Sequence, residues 1–519
     1  MKVVFIGLLL LASLPAGAAE PGAAHALYQQ HCAVCHGADR FGLTGPALLP
    51  ESLARLRRSA VLDTIAAGRA ATQMQGFADL LTLAQIEAIA DYLVTPPAEP
   101  PRWELAQMKA SHKVFTAAIG LPDTPRFKAD PLNLFVVVES GDHHITVLDG
   151  DRFEPIHRFP THFALHGGPK YAADGRFVYL ASRDGWISKY DLYNLTYVAE
   201  IRVGLNTRNL AVSADGRYVL VGNTLPGTLV VLDGHDLTPL KVIAAADESG
   251  QGSRVAAVYN APPRGSFIAI MKDIPEIWEL PYTTQAIAWP VYTGPMHDYR
   301  ADSGEAPPLA KEEFPVRRIR LEQHVDDFVL DPAYEHLIGA ARDGTVQVVN
   351  LTVGRRIANL PLTGMPHLAS GITWMRGERR VLATPNLKEG AVTVIDTQNW
   401  KAIKRVPTLG PGFFMRSHEN SRYAWVDSSL GQARDTVQVI DKETLEVVKS
   451  LQPAPGKTAS HVEFTRDGRY ALLSLWEMDG ALVVYDAQTL QEVKRIPMVK
   501  PSGKYNVWNK TRLSEGTSH

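Results

Sequence analysis

A small all-α domain followed by an all-β eight-bladed propeller is the fold class that the sequence predicts, on three observations. Residues 20–95 carry helix-forming segments with apolar positions about three and four apart. A proline run, Pro96-Pro97-Ala98-Glu99-Pro100-Pro101, then breaks the pattern, and such a run suits a stiff extended linker better than either flank. Beyond it one unit recurs eight times, a pair of alternating apolar strands joined by a turn, at starts mostly about 40–50 residues apart, the spacing of propeller blades.

Taken in order, residues 1–19 read as an export signal: Lys2 gives the positive start, Val3 to Leu14 the apolar stretch and Ala16-Gly17-Ala18 a small-residue cleavage site. No later run of about 18 apolar residues follows, so the expectation is a periplasmic protein without a membrane span once the signal is removed. Residues 20–95 should hold helices at Ala23–Gln30, Leu53–Gly68 and Thr82–Val94, the last capped by Thr82. Residues 96–130 are the linker and the approach to the propeller, and residues 131–519 the propeller itself. Its units run from LFVVVESGDHHITVLDG at 134–150 to RYALLSLWEMDGALVVYD at 469–486, with a Pro-rich insertion at Thr283–Val316. Turns at Asp174-Gly175-Arg176, Asp215-Gly216-Arg217 and Asp467-Gly468-Arg469 occupy equivalent places, where glycine supplies the backbone freedom. A β-sandwich would explain alternating strands but not eight similar units.

The chain is 519 residues long, with 53 basic against 55 acidic side chains and a net charge of −2, so no global field exists to hold nucleic acid or an acidic membrane. Its 45% hydrophobic content is that of an ordinary globular protein. Only two cysteines are present, too few for a disulfide framework, and they stand in Cys32-Ala33-Val34-Cys35-His36. That spacing is the attachment pattern of a c-type haem: two thiols add to the vinyl groups and His36 binds the iron. One CxxCH predicts one covalent haem. For the other axial position Met74, in the loop from Gly68 to Phe77, is preferred, with His25 and His31 as alternatives. A Met/His pair raises the potential and makes the domain an apt electron acceptor.

With Thr161-His162-Phe163-Ala164-Leu165-His166-Gly167-Gly168, with Ala181-Ser182-Arg183-Asp184-Gly185, and with the ending from Gly503 to Lys510 and from Ser514 to His519, the propeller resembles the haem d1 proteins of denitrifying bacteria. The resemblance, with the c-haem domain in front, spans almost the whole mature chain. Within the group, cytochrome cd1 nitrite reductase has the c-haem domain but a more divergent propeller, and the related biosynthetic propeller lacks the domain. The combination here is similar to the branch that oxidises dihydro-haem d1.

The resemblance implies the last step of haem d1 biosynthesis, oxidation of one propionate to an acrylate with electrons passed to the c-haem. It makes haem d1 or dihydro-haem d1 the second tetrapyrrole, and implies transient contact with nitrite reductase and an electron acceptor. It implies that His166 is the proximal iron ligand, with His162 in reserve. It places His324, His367 and His418 in the pocket, His324 as proton acceptor and His418 sharing that work or orienting the side chain. In Gly364-Met365-Pro366-His367 the reductase pattern fits, but the arginine and second glycine that follow it there are replaced by Leu368-Ala369-Ser370. The cofactor's carboxylates need cations, and the planar fork of arginine suits them, so Arg183 and Arg208 are the expected partners. Asn506, Asn509 and Lys510 are weaker candidates, since the same segment can simply close the ring. Trp476 lines the cofactor or packs in the core. A nitrite reductase and a non-catalytic haem d1 carrier are the competing functions.

Overall fold

The computed structural model describes residues 21–54, 56–69, 74–115, 120–165, 167–283, 291–292, 298–299, 313–341 and 343–517. The export signal and His166 lie outside these residues. Two compact units are present, Met1–Phe41 with Ala47–Pro100 and Gly42–Pro46 with Pro101–His519.

The first unit is helical: α1 (Pro21–His31), α2 (Ala33–His36), α3 (Pro50–Leu53), α4 (Arg58–Ala67) and α5 (Leu83–Leu93). Tyr28, Ile65, Phe77, Ile86, Ile89 and Leu93 form one buried cluster, the apolar stripe that helical spacing predicts. Thr82 opens α5 with a capping box shared with Gln85. Arg40, 3% exposed, donates to the carbonyls of Tyr92, Leu93 and Thr95, neutralising the negative end of α5. The stretch expected as one helix from Leu53 to Gly68 is instead two, because Pro50 starts a separate short turn and Arg57, in extended conformation, restarts the chain as α4.

The second unit is a ring of eight antiparallel sheets, each of four strands except one of five. In seven of them the strand nearest the axis comes first in the sequence, and successive axial strands touch; Asn209 and Val258, for example, exchange two hydrogen bonds at 2.9 Å across neighbouring blades. The ring closes by pairing the late strand Pro501–Asn506 with Leu134–Glu139, so the two ends of the propeller sequence share the first blade. Apolar residues bury between blades: Leu220, Leu229 and Val231 of the third pack on Val255, Phe267 and Trp278 of the fourth. One unit alone would leave a face wet, which is why the repeat needs neighbours.

Three features went unread in the sequence. The approach segment contains α6 (Leu105–Ser111), whose Met108 is fully buried on the propeller, and a strand, Lys113–Val114, that widens the second blade to five. The insertion separates the third and fourth strands of the fourth blade, Glu276–Pro281 and Arg317–Arg320, which still pair. A final helix, α7 (Val507–Arg512), follows the closing strand. In the three Asp-Gly-Arg turns glycine adopts φ of +78°, +71° and +74°, and the Asp carboxylate accepts the backbone N–H of the arginine. These turns end the axial strands, so they mark one end of the channel; the loops that begin the axial strands mark the other, the mouth.

Candidate functional site

In the first unit Cys32 caps the start of the short helix α2, Cys35 follows one turn later and His36 ends it, 7% exposed. Cys32 and Ala33 border the same apolar cluster as Met74. The loop bearing Met74 is cinched at its base, Arg69 N–H donating to the Met74 carbonyl at 3.0 Å. The Cys32 thiol and the Met74 thioether border one apolar cluster, with Cys35 and His36 following on α2, and these groups fit a covalent c-type haem with Met74 as second ligand. His25 and His31 instead lean on Tyr92 and Phe77, ring centroids 5.6 and 6.1 Å apart.

In the propeller the channel mouth is built by the loops that enter the axial strands. Gly167 and Gly168 follow the position of His166, with φ of +82° and +69°. A Cβ on Gly167 would stand 2.4 Å from Asn209 Cβ, and one on Gly168 would stand 2.9 Å from the Tyr505 ring. The two glycines therefore let the His166 loop lie against the third and first blades, which is the physical content of that motif. Arg208 donates to the Ala256 carbonyl at 2.8 Å, and Arg183 is near enough for the two guanidinium groups to repel. Burial first, and Arg208 second, bring Arg183 down to about 10; burial lowers Arg208 as well.

His367 opens the sixth blade. Its Nδ1 lies 2.5 Å from Asp327 Oδ2, while Asp327 Oδ1 accepts the Ala369 N–H at 2.6 Å. The short turn Leu368–Ser370, where the sequence departs from the reductase pattern, is what offers that N–H. Phe413 packs on the imidazole at 4.4 Å between centroids. A carboxylate that holds Nδ1–H leaves Nε2 with its lone pair, the arrangement of a ligating histidine. His324 is half-buried in the loop leading to the Asp327 strand, on the same side of the ring.

The structure does not bring His418 together with these. It follows the axial strand Met415–Arg416 and is fully buried against the Asp-Gly-Arg turn at Gly468, at the end away from the mouth. Its Nδ1 accepts the Asn420 N–H at 3.1 Å, and burial lowers its pKa. Asn506 and Asn509 are also fully buried there: Asn506 donates to Asn133 at 3.1 Å and caps α7, and Asn509 donates to Glu463 and to the Phe464 carbonyl. Their visible work is ring closure. His162 stacks on Trp186 and lies 2.9 Å from Glu200, and Trp476 donates to Ser140 at 3.3 Å.

Apart from Lys510, sequence reasoning missed the residues beneath the mouth. Lys170, Arg416, Lys504 and Lys510 converge there with His461, Tyr505 and the buried carboxylates of Glu463 and Asp427. Lys170, Tyr505 and Lys510 keep some accessible surface although protein surrounds them on all sides, so the channel has a lumen. Burial, then neighbouring cations, lowers Lys170 to about 8 and Lys510 to about 7. His461, 2% exposed, sits at a bulge in its strand with φ of +53°, and its ring meets Tyr505 at 5.3 Å. Burial, Lys504 and Arg416 push its pKa well down, so the imidazole is neutral, while Tyr505 is pushed up to about 12 and stays a phenol. A strained, buried histidine on a bulge is a signal of function, but one visible only in the backbone.

The pattern of the cytochrome D1 heme domain matches residues 129–304 and 309–510, and that of the cbb3-type cytochrome c oxidase subunit III matches residues 19–93. A dihydro-heme d1 dehydrogenase of Pseudomonas aeruginosa is 56% identical over 515 residues, 99% of each chain. A nitrite reductase of Stutzerimonas stutzeri is 26% identical, covering 95% of this chain and 93% of its own. Protein NirF of Pseudomonas aeruginosa is 28% identical over 72% of this chain and 90% of its own. A solved structure of dihydro-heme d1 dehydrogenase NirN in complex with DHE superposes with a TM-score of 0.78 at 55% identity, covering 94% of this chain and all of the other.

Proposed function

The chain belongs to the dihydro-heme d1 dehydrogenase family of cytochrome D1 heme-domain proteins, and on that premise we propose that it oxidises one propionate of dihydro-haem d1 to an acrylate. Haem d1 biosynthesis and oxidoreductase chemistry come with the family. The observation that carries the finer step is the axial lumen, a mouth with a carboxylate-held histidine above inward-facing cations and a neutral imidazole. A flat polycarboxylate with a central metal needs such a surround.

Desaturation breaks one C–H bond on each of two adjacent carbons and forms a C=C bond, and two protons and two electrons leave. A covalent c-type haem held by Cys32, Cys35, His36 and Met74 would supply one-electron redox chemistry, so a turnover needs two successive transfers and an external electron acceptor. His166 and His367 are assigned to the substrate iron, and Arg183 and Arg208 to its outer carboxylates. For the proton, the sequence favours His324; the strained bulge and enforced neutrality favour His461, with the Tyr505 hydroxyl alongside as a donor that keeps its own proton. His418, Asn506 and Asn509 act in this reading by holding the ring shut. Export to the periplasm accords with the signal-like residues 1–19, and the product's destination is a nitrite reductase by transient contact.

The assignment of the base is tested by measuring dihydro-haem d1 binding and single-turnover conversion separately in His324→Ala and His461→Ala. The base is the histidine whose loss leaves substrate bound but unconverted, by about 100-fold or more in rate. Wild-type conversion in both variants contradicts the proton-transfer scheme. Stable retention of unaltered pigment, with nitrite reduction, would instead point to a reductase, and transfer of unaltered pigment to an apo-reductase to a carrier.

A further inference from the structure

The carboxylate that holds His367 is itself held, and the two contacts together have a direction. Asp327 is 8% exposed and spends its oxygens differently: Oδ1 accepts the Ala369 N–H at 2.6 Å, and Oδ2 faces His367 Nδ1 at 2.5 Å. The turn that offers the Ala369 N–H is pinned at each of its neighbours. The His367 N–H donates to the Pro385 carbonyl at 2.8 Å, Leu368 is fully buried among Val329, Ile338 and Leu382, and Ser370 Oγ accepts the Met415 N–H of the next blade at 3.2 Å. A main-chain N–H only donates, so whichever atom of residue 327 meets it must be an acceptor. That requirement fixes how the side chain is turned and leaves its other oxygen, again an acceptor, for the imidazole.

We infer that Asp327 is a positioning residue: it selects the tautomer of His367 that carries hydrogen on Nδ1, keeps the Nε2 lone pair for the tetrapyrrole's iron, and does so in one sense only because the Leu368–Ser370 turn dictates its own orientation. The inference rests on the assignment of His367 to that iron and deepens it by naming what aims the ligand. A neutral imidazole without such a partner shares its hydrogen between both nitrogens, and only one of the two forms can ligate through Nε2. Phe413, packed on the ring at 4.4 Å between centroids, opposes its rotation. Partners that fix a ligating histidine in tautomer and orientation are worth about 10- to 100-fold in metal affinity. Asp327 also attracts Arg208, so its charge acts on a second residue of the mouth, and a test must separate the two effects.

The test has one arm without the tetrapyrrole and one with it, both on the full protein carrying its covalent haem. With nitrogen-15-labelled histidine at about pH 8, above the ordinary histidine range, nitrogen–proton correlation spectra report which ring nitrogen carries hydrogen, and His367→Ala identifies the signal. Wild type is expected in the Nδ1–H form. In Asp327→Asn the amide oxygen has to take the Ala369 N–H, so the amide nitrogen donates to His367 Nδ1 and the Nε2–H form is expected; in Asp327→Ala both forms are expected. The same tautomer in wild type and Asp327→Asn overturns the lock, and should that variant not fold, a pure Nδ1–H form in Asp327→Ala overturns it equally. Titration with dihydro-haem d1 is then expected to give an order that packing alone does not: Asp327→Asn, the isosteric change, binds about tenfold or more weakly than wild type and more weakly than Asp327→Ala, because it enforces the wrong tautomer. In a His367→Ala background neither substitution lowers affinity further. The opposite order, or a loss that persists in that background through Arg208, overturns the positioning role. A switched tautomer with unchanged affinity overturns the assignment of His367 to the iron. A wild type that binds no tetrapyrrole contradicts the haem d1 reading, and the spectra of the first arm still uphold or overturn the lock.

Discussion

At the residue scale the account turns on how burial alters side chains whose identity the sequence already prints. Lys510 is held near 7 by burial and by Arg416 and Lys170, against the pull of Glu463, with the Tyr505 ring beside it. Between about pH 7 and the ordinary lysine range the unfolded chain carries a proton that the folded chain has lost. Stability of the tetrapyrrole-free protein therefore rises with pH across that window, and thermal unfolding at stepped pH should show a slope that Lys510→Met reduces. Met74→Ala should lower the c-haem potential by on the order of 100 mV or more, because the thioether favours the reduced iron; spectropotentiometry reads it, and an unchanged potential moves the ligand to His25 or His31. Cys32, Cys35 and His36 were legible because their chemistry depends on local spacing. Arg183 and His367 were proposed through motifs, and Arg208 through its position in the family resemblance. Lys170, Arg416 and His461 were not: whether a side chain faces the axis depends on strand register and, at His461, on a one-residue bulge that shifts the alternation.

At the element scale the propeller strands follow from alternation and turn chemistry, and the three Asp-Gly-Arg turns fold as their composition requires. What escaped was structure without a repeat to announce it: α6, the strand at Lys113–Val114 and the closing strand Pro501–Asn506, each defined by its partner. The closure makes a prediction. Asn506→Ala removes the α7 cap and the bond to Asn133 together, and should lower stability by roughly 1–3 kcal/mol without changing the c-haem spectrum. Chemical denaturation followed by tryptophan fluorescence measures it. Gly167→Ala meets a harder limit, since the new Cβ stands 2.4 Å from Asn209 Cβ at a φ of +82°. The strain, about 1–3 kcal/mol, should shift the His166 loop and weaken haem d1 binding at least several-fold, which a pigment titration detects. The same substitution at Gly216, with φ of +71° but nothing near its Cβ, should leave binding unchanged.

At the scale of the whole molecule, a cytochrome c domain and a haem d1-type propeller occur in one chain, and in the proposed reaction each supplies what the other lacks: a place for electrons to go, and a site that orients and deprotonates a tetrapyrrole side chain. Fold class was legible because eight weak repeats reinforce one another, whereas most of the floor of the channel was not, since it assembles from four blades and the final helix. The central claim is that this protein changes the substrate's covalent structure. Purified protein carrying its covalent haem, incubated with dihydro-haem d1 and an electron acceptor, is analysed by extracting the pigment for mass spectrometry. The account predicts a product lighter by two hydrogens with the optical spectrum of haem d1; bound pigment recovered at its starting mass, under conditions in which the c-haem is oxidised and reducible, would contradict it.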